Sequence, residues 1–110
     1  METFVKGEVV VLPFPFSDLS ATKKRPAVVV ATLSGDDIIL CQITSEARLD
    51  NYSIILKTED FEVGGLQQTS RIRPNKIFTA DKSLVLYKAG LLREKKMRQI
   101  EEILVQIITS

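Results

Sequence analysis

At 110 residues, with 15 Lys and Arg against 14 Asp and Glu, the chain carries a formal net charge of +1 and contains no histidine. That length suits one small domain rather than two, and it suffices to bury roughly 65% of the unfolded surface without disulfides or metals. The missing histidine excludes Ser-His-Asp triads, histidine-paired ribonuclease chemistry and histidine-based zinc sites.

A hydrophobic content of 45% with 26% charged residues is that of an ordinary globular protein. The single cysteine, Cys41, cannot form an internal disulfide. Its setting in Ile38-Ile39-Leu40-Cys41 suits a small buried hydrophobe and a reducing cytoplasm. No apolar run approaches the ~18 residues needed to span a bilayer, and Met1 to Gly7 has no signal-peptide pattern, so no membrane association is expected.

In chain order, Gly7 to Leu12 reads as a first strand ending at Pro13-Phe14-Pro15, whose prolines force it to stop or to lie at an edge. Ser17 to Lys24 is polar and reads as a loop. Arg25-Pro26 then leads into Ala27 to Ala31, a continuous apolar run expected to be a central strand buried on both faces. Ser34 to Asp37 is a turn into Ile38 to Thr44, making a hairpin. Further strands are expected at Tyr52 to Lys57 and Thr69 to Arg73, with a turn or bulge at Gly64-Gly65. Only the end changes period: Met97, Ile100, Leu104, Ile107 and Ile108 recur at helical spacing, predicting an amphipathic helix over about Arg93 to Ile108. Five or six strands followed by one helix point to a mainly β fold, a small closed SH3-like barrel with the helix over an open side.

The near-zero net charge hides an uneven distribution. Residues 1–35 carry four basic and three acidic groups, residues 36–62 two and seven, and residues 63–110 nine and four. Because screening confines charge effects to about 8–10 Å, a local basic patch can hold a polyanion on a neutral chain. Lys23-Lys24-Arg25 and Arg71-Ile72-Arg73-Pro74-Asn75-Lys76 are the two candidate patches.

Three segments carry a resemblance: Gly7-Glu8-Val9-Val10-Val11-Leu12-Pro13-Phe14-Pro15-Phe16-Ser17-Asp18-Leu19, then Lys24-Arg25-Pro26-Ala27-Val28-Val29-Val30, then Cys41-Gln42-Ile43-Thr44-Ser45. With Ser70 to Leu84 and the final helix, they make the chain resemble the MazF/PemK family of toxin endoribonucleases, in its PemK-like branch. The resemblance implies the MazF/CcdB toxin fold, a homodimer, no cofactor, and metal-independent cleavage of single-stranded RNA to a 2′,3′-cyclic phosphate and a 5′-hydroxyl. It also implies a cognate antitoxin that blocks the active groove, with DNA reached only through that antitoxin.

Matched by position, Arg25 falls at the family's catalytic arginine and Thr44, followed by Ser45, at its catalytic threonine. The chemistry is sound on its own terms. A guanidinium is always charged and can hold non-bridging phosphate oxygens, while hydroxyls can donate to the same phosphate or orient the attacking 2′-hydroxyl. The proton acceptor and donor stay open among Asp18, Glu46, a 2′-oxygen relay and water. Lys23, Lys24, Gln42, Arg71, Arg73 and Lys76 are candidate phosphate or base contacts. Phe16 is the preferred base-stacking residue, with Phe14 assigned to the core and Phe78 as a further stacking candidate.

The structural alternative is that Arg25 anchors a loop to a carboxylate, that Thr44 and Ser45 merely end a strand, and that the lysines are solvated. Where many relatives carry Arg-Thr, this chain has Phe78-Thr79, so their cleavage sequence does not transfer. The competing function is a non-catalytic toxin or binding module of the same fold. Such a protein would inhibit a protein target, as gyrase-poisoning toxins do, or act only with its antitoxin in transcriptional autoregulation.

Overall fold

A computed structural model describes residues 3–15, 22–46 and 50–110. Among them the chain forms seven strands: β1 (Glu8–Pro15), β2 (Thr22–Thr32), β3 (Asp37–Thr44), β4 (Ile54–Leu56), β5 (Phe61–Gly64), β6 (Ser70–Asp81) and β7 (Tyr87–Leu92). One helix follows, α1 (Glu94–Thr109), and short 3-10 turns precede β5 and β7. The strands make one antiparallel sheet in the order β4-β6-β3-β2-β1-β7-β5.

Four register shifts interrupt the ladders, at Val9/Val10, Val29/Ala31, Cys41/Gln42 and Phe61/Val63. Each bulge adds local twist, and together they curl the sheet. The edge strands β4 and β5 are not paired with each other. The expected SH3-like barrel is therefore a curled half-barrel, closed by packing rather than by a complete hydrogen-bond ring.

The β1–β2 ladder runs through Pro13 to Pro15, while β7 borders β1 only over Glu8 to Val11. The prolines thus lie where the strand has one neighbour, which is where a missing ladder donor is tolerated. The loop expected over Ser17 to Lys24 is shorter than its polar composition implied, because Thr22, Lys23 and Lys24 pair with Pro15, Phe14 and Pro13. Residues 17–21 of that expectation lie outside the described residues.

β2 is buried on both faces, as its apolar run predicted. Val28 and Val30 join Val9, Cys41, Ile43 and Ile72 in one cluster; Ala27 and Val29 join Val10, Leu12, Ile38 and Leu40 in another. The helix completes the first cluster with buried Met97 and Ile100. Its amino end is tied to the β5 side by Arg93 N–H on Asp60 O (2.9 Å) and by Lys96 on Asp60 (3.4 Å). On the second cluster, Phe14 and Phe78 meet edge to face at 5.1 Å. Phe14 is a packing residue as expected, and Phe78, half-buried against it, is one too. Cys41 is fully buried, and desolvation pushes its thiol up to about 12.

No helix among the described residues is long and apolar enough to cross a membrane.

Candidate functional site

The alternation of β2 and β3 decides which polar side chains meet. Ala27 pairs with Gln42, and continuing that register by two residues places Arg25 opposite Thr44. On the flanking strands Leu12 pairs with Arg25 and Arg71 with Thr44. Paired residues of antiparallel strands project to the same side, so Arg25, Thr44 and Arg71 form one row across the sheet.

Beside this row opens a cleft of about 690 Å³, whose lining includes Lys23, Lys24, Arg25, Thr44 and Ser45 together with Gln67, Gln68, Ser70, Tyr87 and Lys88. Among the described residues, no Asp or Glu lines it. Lys88 is committed elsewhere, its ammonium 3.0 Å from Glu8, donating to Thr3 O at 2.7 Å and lying 5.0 Å from the Phe4 ring centroid. Lys23, Lys24 and Arg25 add three further cations to the lining of the cleft.

A recess strengthens such charges. A phosphate about 4 Å from a guanidinium gains about 1 kcal/mol in bulk water but about 4 kcal/mol at an effective dielectric near 20. Thr44 is only 8% exposed, and its Oγ1 accepts the Glu46 backbone N–H at 3.1 Å. With a lone pair so occupied, its O–H is left to donate to a ligand. Ser45 is exposed at the cleft mouth. The cleft thus offers an anion charge and hydroxyl donors, and among the described residues no carboxylate lines it to take a proton. Glu46 lies beside it, and Asp18 is outside the described residues.

Of the residues singled out in the sequence, the structure brings Lys23, Lys24, Arg25, Thr44 and Ser45 together. Gln42, Arg71, Arg73 and Lys76 do not line the cleft. Gln42 is half-buried between Ala27 and Arg73. Arg71 donates through Nη1 to Glu46 O (3.2 Å), and its buried Nε has no acceptor among the described residues. Lys76 is exposed on Pro74 to Lys76, three residues bulged out of β6 between the pairs Gln42↔Arg73 and Cys41↔Ile77. Phe16 lies outside the described residues. Among the described residues, no group of three or more Cys, Asp or Glu side chains is placed to hold a metal ion.

Arg73 has a structural partner, Asp50, at 3.3 Å. The backbone N–H of Tyr52 (2.9 Å) is the main cause holding the Asp50 carboxyl at about 2. The N–H of Ser53, the Arg73 guanidinium and the Ser53 hydroxyl add to it against a smaller opposing desolvation. Because the folded value lies below the ordinary ~3.9, this stabilisation is complete above about pH 4 and is lost as pH falls toward 2. Urea midpoints measured from pH 6 to pH 2 should show a decline below pH 4 that Asp50→Asn flattens; an unchanged profile would remove Asp50 as the organiser of this loop.

Sequence reasoning missed Tyr87, Gln67 and Gln68 as cleft-lining residues. Tyr87 opens β7, a strand without alternating hydrophobicity, and Gln67-Gln68 follow the Gly64-Gly65 signal in a stretch with no periodicity. A polar run after paired glycines was the only available cue.

A curled antiparallel half-barrel with one packed helix, and a cleft lined by Lys23, Lys24 and Arg25, define a small mainly β protein. A family model described as PemK-like, MazF-like toxin of type II toxin–antitoxin system matches residues 5–108, and the chain belongs to that family. Solved structures share the fold. An endoribonuclease from a mycobacterial species superposes with a TM-score of 0.75 at 17% identity, covering 99% of this chain and 94% of that one. A MazE-MazF structure from Deinococcus radiodurans gives 0.76 at 15% identity over 94% of each chain. The Mycobacterium tuberculosis toxin MazF-mt6 gives 0.68 at 15%, covering 91% and 96%. No curated protein sequence matches the chain.

Proposed function

We propose that this member of the toxin family is a metal-independent, sequence-specific endoribonuclease acting on single-stranded RNA in the cytoplasm as one 110-residue domain. The observation that carries the reading is the meeting of Arg25 with Thr44 and Ser45 in a cleft that Lys23 and Lys24 also line and that, among the described residues, no carboxylate lines. In the proposed step the 2′-oxygen attacks the adjacent phosphorus, its proton passing to a base. The P–O5′ bond breaks and the 5′-oxygen takes up a proton, leaving a 2′,3′-cyclic phosphate and a 5′-hydroxyl. Arg25 offsets the charge gained by the non-bridging oxygens, and the Thr44 and Ser45 hydroxyls donate to the same phosphate or hold the 2′-hydroxyl in line.

Purified protein incubated with long single-stranded RNA in EDTA should release fragments with 5′-hydroxyl ends. Intact RNA, with growth arrest persisting in cells, would instead support a protein-directed toxin.

The proposed partner is a cognate antitoxin covering the cleft. Fold relatives include an endoribonuclease solved in complex with its cognate antitoxin and MazE-MazF assemblies. A homodimer is proposed as well, since α1 leaves Val105 58% and Ile108 75% exposed and apolar. Light scattering at micromolar concentration should give about twice the 12.3 kDa chain mass; a stable monomer would contradict it.

A further inference from the structure

The residues lining the cleft are of two kinds, and the two match the two parts of a nucleotide. Lys23, Lys24 and Arg25 carry charge, while Tyr87, Gln67 and Gln68 bring an aromatic ring and two primary amides to the same cleft. Tyr87 is 56% exposed although it sits within the sheet, paired with Val11. Val11 pairs in turn with Pro26, the neighbour of Arg25. Tyr87 thus stands two strand spacings, about 10 Å, from the strand that carries Arg25. A phenol with so much ring in solvent contributes little to a core, and its place in a recess lined by cations needs another account.

Gln67 and Gln68 supply the amides. The segment bearing them is anchored at both ends: Gly65 N–H donates to Ala89 O at 3.1 Å, and the Ser70 hydroxyl donates to Gln68 O at 3.0 Å. Both glutamines are exposed, and their side-chain amides make no hydrogen bond among the described residues. They also border a second hollow of about 270 Å³ floored by Leu56, Phe61 and Leu66, so the segment forms a ridge between two depressions. A primary amide offers a donor and an acceptor on one plane, which is the complement of a base edge. An aromatic face stacks on any unpaired base, a contact worth about 1–3 kcal/mol.

We infer that Tyr87 and the Gln67-Gln68 ridge are the base-recognition wall of this cleft, with Tyr87 stacking on an unpaired nucleobase and the two amides reading its edge. This assigns base contact to residues 67, 68 and 87 rather than to Arg71, Arg73 or Lys76, which do not line the cleft. It rests on the ribonuclease reading for its substrate class, but it is testable without cleavage.

The test uses the full-length chain and fluorescent single-stranded 2′-O-methyl oligoribonucleotides, which lack the attacking hydroxyl, beside an abasic strand of equal length and charge. Wild type should bind the base-bearing strand on the order of tenfold more tightly than the abasic one. Tyr87→Ala should erase that difference and Tyr87→Phe should keep it, with circular dichroism confirming that both variants are folded. In parallel, mapping of 5′-hydroxyl ends across a mixed RNA pool should show Gln67→Ala and Gln68→Ala cutting a changed or broadened set of sequences. Equal binding to abasic and base-bearing strands overturns the inference, as does an unaltered cut-site set in both glutamine variants. Base-dependent binding without any RNA cleavage by wild type would instead retain the recognition wall and overturn the ribonuclease reading.

Discussion

Arg25→Ala is expected to lower RNA cleavage on the order of 10²–10³-fold, the loss seen when a donor that acts mainly on the transition state is removed. The reason is positional. Arg25 lies in register with Thr44 and lines a recess where a charge contact is worth several times its value in open water. Because the phosphate gains charge on the way to the transition state, most of the loss should fall on kcat rather than KM. Arg25→Lys keeps the charge but not the planar fork and should recover only part of the rate. Lys23→Ala and Lys24→Ala, which remove point charges elsewhere in the lining, should act mainly on KM and become weaker effects at high salt. A loss below tenfold for Arg25→Ala would demote the residue to a structural role.

The second large effect is expected far from these charges. Gly64 has φ +69°, and a Cβ there would lie 2.2 Å from Ala89 O and 2.8 Å from Gly90 Cα, because Gly64 and Gly90 face each other where β5 meets β7. Left-handed backbone costs a side-chain-bearing residue about 1–2 kcal/mol, and forced overpacking about 1–3 kcal/mol more. Gly64→Ala should therefore destabilise the protein by about 2–5 kcal/mol, a large share of the 5–15 kcal/mol typical of a domain. Gly35→Ala is the control, since its Cβ would meet nothing within 4 Å; it should stay within about 0.5 kcal/mol of wild type. Urea unfolding measures both, and a Gly64→Ala change below 1 kcal/mol would mean that β5 is not held against β7 in this way. Cleavage should fall with stability, because Gly65 to Gln68 hang from this contact and line the cleft.

These two residues mark the boundary between what local pattern reveals and what it hides. Arg25 stood out because Arg25-Pro26 leads into a continuous apolar run and matches a known family motif, which implies a catalytic role; residue chemistry alone left it open to a loop-anchoring alternative. Gly64-Gly65 was legible as a turn or bulge, but not as a point of backbone contact with Gly90, 26 positions later. The strand expected over Thr69 to Arg73 runs on, as β6, to Asp81. In the structure Pro74 to Lys76 bulge out, and the strand resumes at Ile77 to pair with Cys41. The basic run from Arg71 to Lys76 likewise looked like one patch, yet Arg71 is engaged by the Glu46 carbonyl and Arg73 by Asp50.

By itself, the sequence determined the elements whose information is local. The apolar run from Ala27 to Ala31 had to be a strand covered on both faces, the spacing of Met97, Ile100 and Leu104 had to be a helix, and the absence of histidine confined any nucleic-acid chemistry to arginine and hydroxyls. The tertiary structure alone decided how the sheet curls, which cations line a cleft, and that Tyr87 and Gln67-Gln68 line the same cleft as Arg25. The physical reason is that hydrophobic periodicity is written along a strand, whereas strand order, register shifts and the side of a cleft on which a side chain falls depend on pairings between residues far apart in the chain.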